Sequence, residues 1–187
     1  MRYREIILER IISVGLNPDH AKYTNHYKDQ LVSMISKAYA PAGGYSGIPS
    51  GTPEEVLAIL TDLYNDQHII KIYTRGSIPT AVTIYKKTTS GRKRIATASN
   101  GQPNGKKDVI ALLQDDNTEK RAWSEVSGAM EKLTTKLGYP PVPAEKTSEL
   151  LPGKEIIKIH DDVMHYDRVI GGHVHTKMLA GHPKTSS

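Results

Sequence analysis

Three groups of residues in this 187-residue chain have the types and spacing to do chemistry. The first is Gln102-Pro103-Asn104-Gly105-Lys106-Lys107, set between a strand-like run at 94–100 and a helix-like run from 108 to 113. Free N–H groups at a helix start, helped by the helix dipole, attract phosphate, and glycine lets the backbone approach closely. An ordinary strand-to-helix turn with solvated lysines fits the same residues. The second group is histidine-rich: His160, His165, His173, His175 and His182, with Asp161, Asp162 and Asp167 among them. His173-x-His175 places two imidazoles on one face of a strand, a metal-ligand geometry, but no third ligand has a diagnostic spacing. No metal is therefore expected, and these histidines instead suit an anionic substrate pocket beside Arg168 and Lys177. The third group is Glu125, a base or a surface charge, together with Tyr73 and Tyr85, which could act as acids or line the core edge.

Other chemistries are excluded. Gly101-x3-Gly105-Lys106 is one residue short of a Walker A loop, and Lys107 stands where Ser or Thr would hold magnesium. No Gly-x-Ser-x-Gly elbow occurs. The absence of cysteine removes thiolate and disulfide chemistry and fits a reducing cytoplasm.

The elements that must position these groups follow from composition and period. The chain is 37% apolar with mixed charge, which implies a folded protein, and no apolar run reaches the ~20 residues of a membrane-spanning helix. A net charge of +5 and a pI near 9.2 favour anionic partners. Residues 3–16 carry Ile7, Ile11 and Val14 at helical spacing. Thr24 could cap a second helix, with Tyr27, Leu31, Met34, Ile35 and Ala38 on its apolar face. The turn-rich stretch 40–51 reads as a linker or as a flap over a site. Thr52-Pro53-Glu54-Glu55 is a capping box that starts a helix with Val56, Leu57, Leu60, Leu63 and Tyr64 inward. Strands are predicted over 68–75, 80–87 and around Ile95 and Thr97, as an antiparallel meander. The helix after the glycine loop runs to about Gln114. Another is predicted over 118–137, with Trp123, Val126, Met130, Leu133 and Leu137 inward and Gly138 as its C-cap. A short helix at 144–151 and strands at 155–160 and 165–170 complete the chain.

This order, with the glycine loop and a helix ending Lys136-Leu137-Gly138-Tyr139, resembles the GNAT superfamily of N-acetyltransferases over roughly residues 53–180. Gln102 and Gly105 match the Gln and first Gly of that superfamily's pyrophosphate signature, and Leu112 and Leu113 its apolar pair, whereas Lys107 replaces a Gly or Ala. Thr134 stands where the family often has a general-acid Tyr, and Ser127 where it has an Asn. The tail from Tyr166 to Met178 also looks like acetyltransferase-like proteins of tailed bacteriophages.

The resemblance implies an α/β (α+β) fold: a central, mostly antiparallel sheet flanked by helices over 52–187, preceded by an N-terminal helical segment over 1–51. It implies acetyl-CoA, or another acyl-CoA, held at Gln102, Asn104, Gly105, Lys106 and Lys107. An amine on a small molecule or a nucleic acid would be acylated, with Glu125, Tyr85 and Tyr139 as catalytic candidates. Arg168, His173, His175 and Lys177 would bind the substrate. The rival reading is a non-enzymatic bacteriophage accessory module on the same fold, binding nucleic acid or protein, with the basic hairpin Arg92-Lys93-Arg94 as its nucleic-acid contact.

Overall fold

The computed structural model describes residues 9–14, 21–42, 47–61, 68–151 and 153–184. Their elements are β1 (Glu9–Val14), α1 (Ala21–Tyr39), α2 (Pro53–Thr61), β2 (His68–Arg75), β3 (Ile78–Thr88), β4 (Gly91–Ser99) and α3 (Gly105–Thr118). There follow β5 (Ala122–Val126), α4 (Gly128–Lys136), β6 (Pro141–Val142), α5 (Thr147–Leu150), β7 (Lys158–Ile159), β8 (His165–Ile170) and β9 (His173–Gly181). The strands make one sheet in the order β1-β2-β3-β4-β5-β9-β8-β7, with β6 paired to β9. Every pairing is antiparallel except β4 with β5.

Alternation sorts the side chains between two helical layers. On one face Ile70, Ile72, Val82 and Ile84 pack beneath α1 and α2, against Leu31, Ile35, Val56 and Leu60. On the other, Leu113 of α3 and Leu133 of α4 meet Val126, Met178 and Ala180. Salt bridges dock α3 on β2. Lys71 reaches Asp115 and, at 2.8 Å, Asp116, while Arg75 grips Asp108 through Nε at 2.9 Å and a terminal nitrogen at 2.6 Å. Burial works against the Lys71 charge, yet the two carboxylates hold its pKa above the ordinary value.

The meander β2-β3-β4 matches its prediction, and β2 has the expected bounds. The capping box also forms: the Glu55 amide donates to Thr52 Oγ1 at 3.3 Å, and its carboxylate accepts from the amides of Ser50 and Gly51.

Three elements depart from expectation. Residues 9–14 are a strand rather than part of a helix: Ile12 packs on the core opposite Ile72, while Ile11 faces outward. The run Ile11-Ile12-Ser13-Val14 suits a sheet edge, and pairing with β2 overrides a helical spacing that rested on three residues. The rest of 3–16 lies outside the described residues, as do Leu63 and Tyr64. Instead of one helix over 118–137, α3 continues to Thr118, and β5 and α4 follow. All five residues of β5 are buried, so continuous burial hides the two-residue period, and the spacing of Trp123, Val126 and Met130 imitates a helix. Finally, α1 begins at Ala21, ahead of Thr24, and Ala38 is exposed. Within residues 1–51, read from sequence as a preceding helical segment, β1 joins the sheet and α1 packs on its largest core.

Candidate active site

The one parallel pairing is also the shortest in the centre of the sheet. Only Arg92↔Ala122 and Lys93↔Trp123 join β4 to β5. Past these rungs the strands share no register, and a cavity of about 280 Å³ lies between them. Residues 94–97 of β4, residues 124–127, Met130 of α4, and Ala38 and Tyr39 of α1 line it. A bulge marks the parting of the strands. Tyr85 pairs with Arg94 and Ile84 with Ala96, so Ile95 is the extra residue, and such an insertion re-aims the strand.

Divergence leaves backbone groups of β4 without a strand partner. The Tyr39 hydroxyl supplies one at Thr97: it accepts from the N–H at 2.8 Å and donates to the carbonyl at 3.2 Å. Gly47 closes over Ile95; a Cβ there would lie 2.3 Å from the Ile95 carbonyl oxygen, so only glycine fits. The stretch 40–51, read as linker or flap, thus borders this site through Gly47.

At the end of β4 the predicted glycine loop turns into α3. The Gly105 amide donates to Gln102 O at 2.9 Å, and the Asn100 side chain accepts from the Gln102 amide at 3.1 Å. Gly105 is required by packing, since a Cβ would stand 2.9 Å from Ser99 Cβ. Among the described residues, the amides of Lys106 and Lys107 donate to no other group. Gln102, Asn104, Lys106 and Lys107 are exposed. The nearest carboxylate in sequence, Asp108, is drawn away by Arg75 and Thr80, which hold its pKa low although burial opposes them. A second cavity, of about 580 Å³, borders the loop at Asn100 and Gly101 and runs beside α1.

Glu125, expected on a helix, is on β5 and its side chain is fully buried. Oε1 accepts from the Tyr166 hydroxyl at 2.9 Å and lies 2.9 Å from Arg168 Nε. Oε2 has Lys93 Nζ at 3.6 Å and no close hydrogen bond among the described residues. Burial pushes the Lys93 pKa down against the pull of this carboxylate, and pushes that of Tyr166 up. Lys177 is buried, opposite Tyr166 in the register, and donates to Ser127 Oγ at 3.3 Å on the cavity wall. His175 is opposite Arg168. The structure therefore brings Glu125, Arg168, Lys177 and His175 to one patch of sheet; His173, exposed, is at the far end of β9.

Other candidates are elsewhere. Tyr85 packs with Ile69 and Ala122 and does not line the cavity. The Tyr139 hydroxyl donates to the Leu113 carbonyl and accepts from Arg94 at 3.4 Å. Thr134 turns its hydroxyl back onto the carbonyls of Met130 and Glu131. His160 and His165 bond to Asp167 and to Asp162 and Glu131, and no group of three metal-binding side chains occurs among the described residues. The basic hairpin turns partly inward: Arg94 is buried and Lys93 faces Glu125. Sequence reasoning passed over Tyr39, for which no motif exists, and took Arg94 for a surface charge. The clue for Arg94 was its place in an alternating strand between Lys93 and Ile95.

The mixed sheet with helices on both faces matches the fold of solved acetyltransferases. Three solved structures illustrate the likeness, over 70% to 95% of this chain. An acetyltransferase from Bacillus subtilis in complex with CoA matches with a TM-score of 0.50 and 12% identity, covering 94% of this chain and 99% of that one. A protein described as a "probable acetyltransferase" matches at 0.52 and 15% identity, over 70% and 89%. A third, from Desulfovibrio desulfuricans and assigned to the GNAT family, matches at 0.49 and 9%, over 95% and 100%. No family model matches the sequence, and neither does any curated protein.

Proposed function

We propose that the chain is an acyl-CoA-dependent acyltransferase that acts on an amine. The observation that carries this reading is the fork itself: a sheet opened at its middle, with a cavity between the parted strands and a glycine turn at the end of the same strand whose Lys106 and Lys107 amides have no other acceptor among the described residues. The chain's residues fit the cofactor. The amides of Lys106 and Lys107, both lysine side chains, Gln102 and Asn104 would hold its diphosphate, with glycine at 105 keeping the turn against β4. Coenzyme A would supply the acyl group as an activated thioester.

The remaining work belongs to the protein. Glu125, whose Oε2 has no close hydrogen bond among the described residues, would take the amine proton, and Arg168 and Tyr166 fix that carboxylate in place. Lys177 and His175 would face the acceptor. Tyr139 acts through Arg94 rather than on substrate.

Calorimetric titration with coenzyme A tests the reading. The wild-type protein should bind it, and the double variant Lys106→Ala, Lys107→Ala should bind at least tenfold more weakly at an unchanged melting temperature. If both proteins bind equally, the loop has no part in the site. Given an acceptor, Glu125→Gln should lower kcat by roughly 100-fold or more, the ordinary contribution of a general base.

A further inference from the structure

The fork holds a buried cation to which no substrate contact has been assigned. Arg94 is 5% exposed and lines the cavity immediately past the last β4–β5 rung. One terminal nitrogen donates to Ser124 Oγ at 2.8 Å across the parting strands, and the other to the Tyr139 hydroxyl at 3.4 Å. Its guanidinium carbon stands 5.1 Å from the centre of the Tyr139 ring. No carboxylate pairs with it among the described residues. Two other buried cations of this chain have acidic partners: Lys71 has Asp115 and Asp116, and Arg168 has Glu125. A buried charge is costly unless paired, and a hydroxyl, a phenol and a ring face compensate it only in part. Burial accordingly pushes the Arg94 pKa down.

We propose that Arg94 is the specificity residue of the fork and binds a substrate carboxylate. The planar guanidinium suits a carboxylate, to which it can donate two parallel hydrogen bonds. Two sources of that carboxylate fit the position: an acyl group ending in one, as in a dicarboxylic acyl thioester, or an acceptor amine that also bears one. The inference rests on the acyltransferase reading for the identity of the bound molecule, but not for the existence of the anion site.

Affinities for coenzyme A, acetyl-CoA and succinyl-CoA in wild-type protein and in Arg94→Met separate these ideas. If the acyl group brings the carboxylate, the wild type binds succinyl-CoA at least tenfold more tightly than acetyl-CoA. Arg94→Met levels the two without weakening coenzyme A. If the acceptor brings it, the two thioesters bind alike in both proteins, and amino acids compete in the wild type where their decarboxylated amines do not. Loss of that discrimination in Arg94→Met supports the site; an unchanged pattern across thioesters and amino acids in the variant overturns it.

Failure of all three coenzymes to bind would instead sink the acyltransferase reading. In that case free succinate decides about Arg94: a rise in melting temperature in the wild type and none in the variant supports the anion site, and no rise in either removes it. Arg94→Lys and Ser124→Ala give the same comparison should the methionine variant not fold. Both keep a cation in place, the first without the two-pronged donor and the second without the hydroxyl that orients it, and each should fall between the wild type and Arg94→Met in discrimination.

Discussion

Two regions of this molecule bury arginine or lysine against the same face of the sheet, and they treat the charge differently. Where α3 docks on β2, the Lys71 ammonium meets two aspartates, and the Arg75 guanidinium meets Asp108, which is 1% exposed. At the fork, Arg94 meets hydroxyl groups and a ring, and no carboxylate among the described residues. The first arrangement is closed on itself and holds a helix in place. The second leaves donor capacity facing a cavity. Buried charge kept in matched pairs locates structure, whereas buried charge left short of a counterion locates a place for something to bind.

The sharpest way to break this comparison is to remove a partner on the closed side. Lys71→Met strands Asp116, 1% exposed, without its cation, and should cost about 3 kcal/mol in a urea titration at pH 8. Burial already raises the Asp116 pKa to about 6, against the pull of Lys71. A carboxyl raised in the folded state is protonated more readily there than in the unfolded chain. Its destabilising effect is therefore full above that value and fades as pH falls through it towards 3.8. The cost of Lys71→Met should shrink accordingly at pH 5. On the open side the sign should differ, with Arg94→Met keeping or raising the melting temperature, because no buried carboxylate is left behind.

Gly105→Val tests the hinge between the two regions, since α3 starts there against Ser99 at the end of β4. Forcing a side chain into a 2.9 Å gap should cost about 1–3 kcal/mol and move the loop amides, so coenzyme A affinity should fall with stability. Tyr39→Phe is milder. It removes one hydroxyl that both accepts from and donates to Thr97, and about 1 kcal/mol of stability should go with it, measured by chemical denaturation. The smallest effect is expected outside both regions, at His165. Hydrogen bonds to Asp162, then to Glu131, raise its pKa above 6.5, so its contribution is fully present below that value and lost as pH rises through the folded one. His165→Gln should cost a few tenths of a kcal/mol at pH 5.5 and less at pH 8.5.

Much of this was legible in the residues because local chemistry dictated it. Thr52-Pro53-Glu54-Glu55 forms its helix start, the 68–99 meander has its turn at Gly76-Ser77, and the glycine loop opens α3 at Gly105. The loop could be read because a glycine, a helix start and two lysines are all encoded in seven consecutive residues. The fork could not. It is made by a strand, β5, whose burial on both faces erases its period, and by partners 30 to 58 positions apart: Arg94 with Ser124, and Tyr39 with Thr97. Nothing in the neighbourhood of Tyr39 announces that its hydroxyl will stand in for a missing strand. Glu125, a catalytic candidate expected on a helix, is instead on β5 beside the cavity. Its partners Tyr166 and Arg168 come from a hairpin more than forty residues later.

An unpaired strand margin in the middle of a folded sheet resembles the exposed rim of an outer strand, and such rims invite foreign chains to add to them. This protein carries that hazard internally. Tyr39 and the close-fitting Gly47 blunt it in the way that charged or bulged residues protect outer strands elsewhere. Opening the margin to a small molecule while denying it to another polypeptide is thus a problem of solubility as much as of recognition, and widening the gap by truncating Tyr39 should bring self-association with it.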